Sequence, residues 1–250
     1  MTDTRFHTLP DGQRIAYRFT PGAGPALVFL PGYMSDMAGG KATALFDWAG
    51  ARGQACLLLD YSGCGQSDGL FADGTLSRWR GEVLALIDVT VGTAQPVVLV
   101  GSSMGGWLML LVGRDLGSRL AGLVGIAAAP DFTQWGTAEA DKVRLAAGDT
   151  VYEDNPYGPA PTPTHPGFWQ DGQTLRQLDG PIPLDCPVRL LHGQHDADVP
   201  WEIALRTAEK LRSPDVQVVL VKDGEHRFSR ESDIDLFLRT VAALPGMPCS

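Results

Sequence analysis

Ser103 stands in the run Gly101-Ser102-Ser103-Met104-Gly105, a G-x-S-x-G pattern that follows the apolar residues 97–100 and precedes a helix-like stretch. Strand before and helix after is the context a nucleophile elbow requires, because the serine oxygen must stand on a sharp turn above the end of a strand. The frame centred on Ser102 fails, since Val100 and Met104 occupy the places where it needs glycine. Glycines on both sides of Ser103 allow the tight turn, which holds the serine in sparsely populated backbone space. A serine hydroxyl is a weak nucleophile until a base takes its proton. In folds built on such an elbow, an acid and then a histidine follow the serine along the chain.

The chain has five histidines, His7, His165, His192, His195 and His226. Only His226 combines the order with the position. It lies in Asp223-Gly224-Glu225-His226, a short loop after the last strand-like run, at the sheet edge where open α/β folds bind ligands. The acid that orients the imidazole is expected in the loop after the preceding strand, where Asp196 and Asp198 compete. Asp196 is favoured, because Asp198 stands beside Val199-Pro200 and reads as the cap of a helix near 201. Asp131 is a third candidate, and His192 reads as a brace for the turn. Two backbone N–H groups are expected to receive the oxyanion. One is that of Met104, at a helix N-terminus where the dipole favours negative charge. The other is that of Tyr33 in Pro31-Gly32-Tyr33-Met34-Ser35, where Gly32 permits an unusual backbone.

These residues need a sheet to carry them, and the pattern supplies one. Residues 15–19 read as a strand after the turn Pro10-Asp11-Gly12, and 26–30, 55–59, 97–100, 123–127, 188–191 and 216–221 read as buried strands. Near-continuous apolar runs suit strands covered on both faces. Helix-like stretches fall near 41–52, 76–91, 104–116, 201–212 and 231–243. Strand–helix alternation implies a mostly parallel sheet with right-handed crossovers. Between Asp131 and Cys186 the rhythm breaks. That segment holds the Pro-rich 158–167, expected to be extended, with the aromatics Trp135, Tyr152, Tyr157, Phe168 and Trp169. It reads as a lid over residues 131–186, inserted into a core formed by 1–130 and 187–250. Trp135, Phe168 and Trp169 are candidates to line an acyl channel.

Composition narrows the function. The chain has 250 residues, 44% of them hydrophobic and 20% charged, which is globular. A net charge of −9 from 20 basic and 29 acidic residues repels phosphate backbones and anionic lipid, so nucleic-acid binding is not expected. No apolar run is long enough to span a bilayer, and the first residues carry no targeting pattern, so stable membrane insertion is not expected. Cys56, Cys64, Cys186 and Cys249 show neither a disulfide framework nor zinc spacing, which points to a reducing, cytoplasmic setting. Gly63-Cys64-Gly65 lacks the rest of a dinucleotide fingerprint and reads as a loop near the site, with Cys64 a packed residue. No cofactor and no metal are expected.

Four segments go beyond the single motif: FLPGYMSDMAGGKA (29–42), DYSGCGQSDG (60–69), CPVRLLHGQHDADVPW (186–201) and EHRFSRESDI (225–234). Together they resemble the α/β-hydrolase superfamily, and within it the branch of palmitoyl-protein thioesterases and acyl-glucuronide esterases. Many superfamily members have His-Gly where this chain has Pro31-Gly32, which matches that narrower branch. The resemblance covers nearly the whole chain and is weakest across the lid. It implies an α/β-hydrolase fold, an eight-stranded mostly parallel sheet flanked by helices. It also implies a triad with Ser103 as nucleophile, Asp196 as acid and His226 as base, with Tyr33 and Met104 as oxyanion donors. The implied substrates are small acyl esters or acylated proteins, including S-palmitoyl groups and acyl glucuronides. A serine aminopeptidase or proline-directed peptidase on the same fold is the alternative, with the lid acids Glu139, Asp141 and Glu153 to grip a free amino terminus. A non-catalytic binding module is a third reading, against which the intact Ser, Asp and His argue.

Overall fold

The apolar runs become strands buried on both faces. In the computed structural model, which describes residues 3–156 and 158–247, the chain opens with β1 (Arg5–Thr8), β2 (Arg14–Thr20), β3 (Ala23–Leu30) and α1 (Gly40–Ala51). There follow β4 (Gln54–Leu59), α2 (Leu76–Thr90), β5 (Val97–Ser102), α3 (Met104–Leu116) and β6 (Leu120–Ile126). The segment after β6 holds α4 (Phe132–Trp135), α5 (Glu139–Ala146), β7 (Val151–Glu153), β8 (Thr162–Thr164) and α6 (Pro166–Thr174). The chain then returns with β9 (Val188–Gly193), α7 (Glu202–Lys210), β10 (Val216–Val221) and α8 (Glu231–Ala242). Tyr157 and Cys249, named above, lie outside the described residues.

Eight strands form one sheet in the order β1-β2-β4-β3-β5-β6-β9-β10. From β4 to β10 every pairing is parallel, and β2 runs against both of its neighbours. This is the mostly parallel α/β-hydrolase sheet that the resemblance implies. The strand missing from the apolar pattern is β1, an edge strand whose residues are largely exposed. Successive side chains of a strand face opposite ways, and β5 divides accordingly. Val97 and Leu99 pack with α2 and α3 through Leu86 and Leu108, while Val98 and Val100 pack with α1 and α8 through Leu45 and Phe237. The sheet therefore has a core on each face.

Connections from β3 and β5 leave toward opposite faces, α1 to one and α3 to the other. A crevice opens where they diverge, beyond the carboxyl ends of two neighbouring strands, and ligands of open α/β sheets bind at such a point. The close packing there depends on missing side chains. A Cβ on Gly105 would lie 2.0 Å from the Leu30 carbonyl oxygen, and one on Gly101 would lie 2.3 Å from that of Gly105. The first turn of α3 thus crosses directly over the end of β3.

The insertion between β6 and β9 has more regular structure than its sequence signals. Its helices have 4, 8 and 9 residues, too short to carry a clear period. Of the Pro-rich piece, only residues 162–164 are extended as β8, paired antiparallel with β7, and Pro166 opens α6. Proline suits that place, since a first-turn N–H has no helical partner anyway. Asp131 is not placed as a catalytic acid. Its carboxylate accepts the N–H groups of Gln177 and Leu178, both at 2.7 Å, and so joins the two ends of the insertion. Burial raises its pKa against the pull of those two bonds.

Gly105→Ala is expected to destabilise the chain by on the order of 3 kcal/mol or more, because backbone rather than a movable side chain meets the new methyl. Thermal unfolding followed by circular dichroism measures it. An unchanged midpoint would show that the α3–β3 crossing is looser than described.

Candidate active site

Ser103 links β5 to α3 with φ 54 and ψ −120, a conformation that non-glycine residues adopt at a cost of roughly 1–3 kcal/mol. Neighbouring backbone holds it there. The Ser103 N–H donates to the Ile126 carbonyl at 2.9 Å, and the Ser103 carbonyl accepts from Gly106 at 2.8 Å and Ala129 at 3.0 Å. The flanking glycines contribute by letting backbones touch, and the left-handed φ belongs to the serine itself. This turn aims Oγ into the crevice.

His226 reaches that oxygen from the loop after β10. The loops after β9 and β10 are tied together, since Gln194 N–H donates to Val221 at 2.8 Å and His195 N–H to Gly224 at 2.9 Å. His226 Nε2 lies 3.2 Å from Ser103 Oγ, and His226 Nδ1 lies 2.9 Å from Asp196 Oδ2. A carboxylate only accepts, so Nδ1 carries the proton and Nε2 turns its lone pair toward the serine hydroxyl. This is the tautomer a general base needs.

Asp196 is the hub of its loop. Its side chain is fully buried, which alone would raise its pKa. Hydrogen bonds from His192 and His226, the charge of His226 and the Val199 N–H outweigh burial and hold the carboxyl well below its usual range. Oδ1 accepts the N–H groups of Asp198 at 2.9 Å and Val199 at 2.8 Å. His192 braces the turn as expected. Its Nε2 lies 3.1 Å from Asp196 Oδ2 and 3.0 Å from the Val199 carbonyl, so that nitrogen carries the proton. Asp198 is not a helix cap, because α7 starts at Glu202 with Trp201 before it. Instead its Oδ2 lies 3.9 Å from His226 Nε2, on the serine side of the ring. Asp196, Asp198 and His226 bring three donor atoms within 4.8 Å. Those of Asp196 and His226 are already engaged in the hydrogen bonds above, and their spacing along the chain carries no metal signature.

Of the two expected oxyanion donors, Tyr33 lines the cavity with Ser103, and Met104 is buried at the start of α3. Met104 is the first residue of α3, where an N–H has no partner inside the helix. Gly32 packs so close that a Cβ would lie 3.2 Å from that of Ser103. The unusual backbone expected at Gly32 falls instead on Met34, with φ 54. Gly32 is needed for its missing side chain.

A cavity of about 880 Å³ opens above the serine, large enough for a drug-sized ligand. Apolar side chains on one side include Pro31, Ala129, Phe132 and Trp135. Of the three proposed channel aromatics, Trp135 alone faces the cavity. Phe168 is buried beneath it against Tyr33, Trp79 and Phe132, and Trp169 points away to donate to the Thr133 carbonyl at 3.1 Å. Cys64 lies outside the lining, and burial with nearby carboxylates pushes its thiol up to about 12.

Much of the charged lining is not legible in the sequence. Lys41, Arg227, Asp36, Asp154 and Asp198 line the cavity together with Glu153. Lys41 donates to the Arg227 carbonyl, and burial, then the charge of Arg227, brings its ammonium down to about 8 against the pull of Asp233. The signal for Lys41 and Arg227 was their place in the segments 29–42 and 225–234. Of the lid acids named for a peptidase, Glu153 lines the cavity, whereas Glu139 and Asp141 pair with Lys142 and Arg144 on α5.

Residues 27–240 match the model of the alpha/beta hydrolase family. The chain is similar to the mitochondrial palmitoyl-protein thioesterase ABHD10 of Homo sapiens, 35% identical over 96% of this chain and 79% of that one. Against the protein of the same name from Mus musculus it is 39% identical over 91% of this chain and 77% of the other. Among solved structures, alpha/beta hydrolase domain-containing protein 10 from mouse superposes with a TM-score of 0.89 at 35% identity, covering 97% and 98% of the two chains. A putative hydrolase from Agrobacterium vitis S4 gives a TM-score of 0.89 at 36% identity, covering 97% and 99%. The resemblance read from the four segments is borne out. The relatives are named mitochondrial, which differs from the cytoplasmic setting expected for this chain. Among the described residues no helix is long and apolar enough to cross a membrane.

Asp196→Asn is expected to lower turnover by roughly 10⁴-fold, since an amide in place of the orienting carboxylate stabilises the wrong imidazole tautomer. Asp198→Asn is expected to cost far less. Steady-state rates on one ester decide between them, and the reverse ranking would move the acid to Asp198.

Proposed function

The chain belongs to the alpha/beta hydrolase family, and from that premise we propose that it is a serine hydrolase that cleaves acyl esters or acyl thioesters through an acyl-enzyme. The observation that carries this reading is the hydrogen-bonded chain from Ser103 Oγ through His226 to Asp196. In the proposed cycle His226 Nε2 takes the Ser103 proton as Oγ attacks the acyl carbon. The carbonyl oxygen becomes an oxyanion facing the N–H groups of Tyr33 and Met104, and each such donor is worth about 3–4 kcal/mol of barrier. The tetrahedral species collapses as the imidazolium gives its proton to the departing oxygen or sulfur. A water, deprotonated by the same Nε2, then attacks the acyl-serine, and the second collapse returns the proton to Oγ. Asp196, held ionised, steadies the positive imidazolium in both halves.

Residues 131–186 act in this reading as a lid that completes the apolar side of the cavity through Phe132 and Trp135. The names of the relatives favour S-acylated protein among the substrates. The thioester has a better leaving group than an amide and needs no grip on a free amine. The peptidase alternative keeps only Glu153 of its three anchoring acids at the cavity, and it is the less supported reading.

Ser103→Ala is expected to abolish p-nitrophenyl ester turnover with the fold intact, and wild-type turnover by that variant would overturn the assignment. A panel of S-acyl, O-acyl and acyl-glucuronide substrates of increasing chain length tests the substrate class. Rates that rise with chain length support an acyl-binding wall at Phe132 and Trp135, and a flat profile would remove it.

A further inference from the structure

The loop that carries the second oxyanion donor is fixed at its ends by the core. Tyr61 donates to the Pro31 carbonyl at 3.1 Å, and the Met37 N–H donates to Asp60 Oδ1 at 2.7 Å. Its middle is a turn, closed by the bond from Ser35 N–H to the Gly32 carbonyl at 3.1 Å. Met34 is the third residue of that turn and has φ 54. A turn with positive φ at its third position favours glycine there. A methionine in that place works against the geometry, so the turn needs support from outside itself.

Tyr33, the second residue of the turn, receives that support, and most of it comes from the insertion. Its hydroxyl donates to the Pro163 carbonyl on β8 at 2.9 Å. Its ring packs on Phe168 of α6 at 4.8 Å and Phe132 of α4 at 5.8 Å between centroids, and on Phe71 of the core at 4.9 Å. Phe71 in turn touches His165, which leads into α6. Burial pushes the Tyr33 phenol above its ordinary pKa, so the hydroxyl remains a donor.

We propose that the Tyr33 side chain is a positioning residue that ties the oxyanion-binding N–H of its own backbone to the seating of the insertion over the cavity. The inference rests on the serine hydrolase reading above. Oxyanion donors act only when aimed at where the oxygen will be, and small misplacements cost large factors in rate. The insertion therefore has a part in chemistry as well as in substrate binding, through one phenol and two neighbouring rings.

The test uses the full chain and p-nitrophenyl acetate, whose two-carbon acyl group makes the least use of the apolar lining at Phe132 and Trp135. Tyr33→Phe keeps the ring contacts and the main-chain N–H and loses the bond to Pro163. Its kcat is expected to fall ~10-fold with KM within about twofold of wild type. The inhibition constant of phenylboronic acid, which becomes tetrahedral on the serine, is expected to rise by a similar factor. Phe168→Leu leaves the turn untouched and loosens its support, and a smaller fall in kcat of about threefold is expected. A Tyr33→Phe protein that loses thermal stability yet keeps kcat and boronate affinity would overturn the inference and leave Tyr33 as packing. Ser103→Ala separates the two levels. If it is inactive while Tyr33→Phe is unimpaired, the serine hydrolase reading stands and the positioning role falls. If Ser103→Ala retains full activity, both fall.

Discussion

Three backbones meet at Ser103 with no room for a single extra methyl, and the site follows from that crossing. The end of β3, the turn after β5 and the first turn of α3 are packed main chain against main chain at Gly101 and Gly105, with Gly32 tight against Ser103. A serine with φ 54 would relax to a more ordinary backbone if its surroundings allowed it. Hydrogen bonds to Ile126, Gly106 and Ala129 and the apolar core on each face of β5 over-determine its conformation. Burial of the two cores offsets a local strain of roughly 1–3 kcal/mol. The Ser103 side chain faces the cavity because the backbone beneath it is held.

The electrostatics are arranged around a second fixed point, the Asp196 carboxylate. Two imidazole N–H groups and two backbone N–H groups surround it, so it stays ionised although it is out of water. Its charge reaches the serine only through the His226 ring, which holds a proton on the far nitrogen and a lone pair on the near one. The Tyr33 turn lines the same cavity. Thus His226 is set by core loops, while the Tyr33 turn is held by an aromatic cluster shared with the insertion.

The parts of this arrangement that read from sequence are those encoded locally. The elbow is five consecutive residues between a strand and a helix, and His226 follows from chain order. The loop after β9 was legible as the source of the acid, but Asp196 and Asp198 are two residues apart. Only the fold shows one buried against Nδ1 and the other 3.9 Å from Nε2. The strands with near-continuous apolar runs were all legible, whereas β1 lacks such a run because it is an edge strand open to solvent. The insertion was legible as a break in rhythm but not as structure, since α4, α5 and α6 are short and held by tertiary contacts. The roles of Lys41, Arg227 and the Tyr33 hydroxyl depend on distant partners, Pro163 being 130 positions from Tyr33 and Arg227 186 from Lys41. Local pattern carries no trace of pairs so distant.

Asp131 joins the two stems of the insertion at one carboxylate, with Gln177 and Leu178 hydrogen-bonded to it across 46 and 47 positions. Chain leaves the core and re-enters it at this clasp, and between the stems the core holds the insertion again through Phe168 on Trp79 and Asp171 on Ser77. The entropy of closing a loop grows slowly with its length. Residues between the stems that lie outside these contacts and those of the Tyr33 ring, such as the ion-paired acids of α5, can therefore be lengthened, shortened or rewritten at little cost to the framework beneath. Selection can retune what the enzyme admits by exchanging those stretches, provided the few residues that touch the core and Tyr33 are kept.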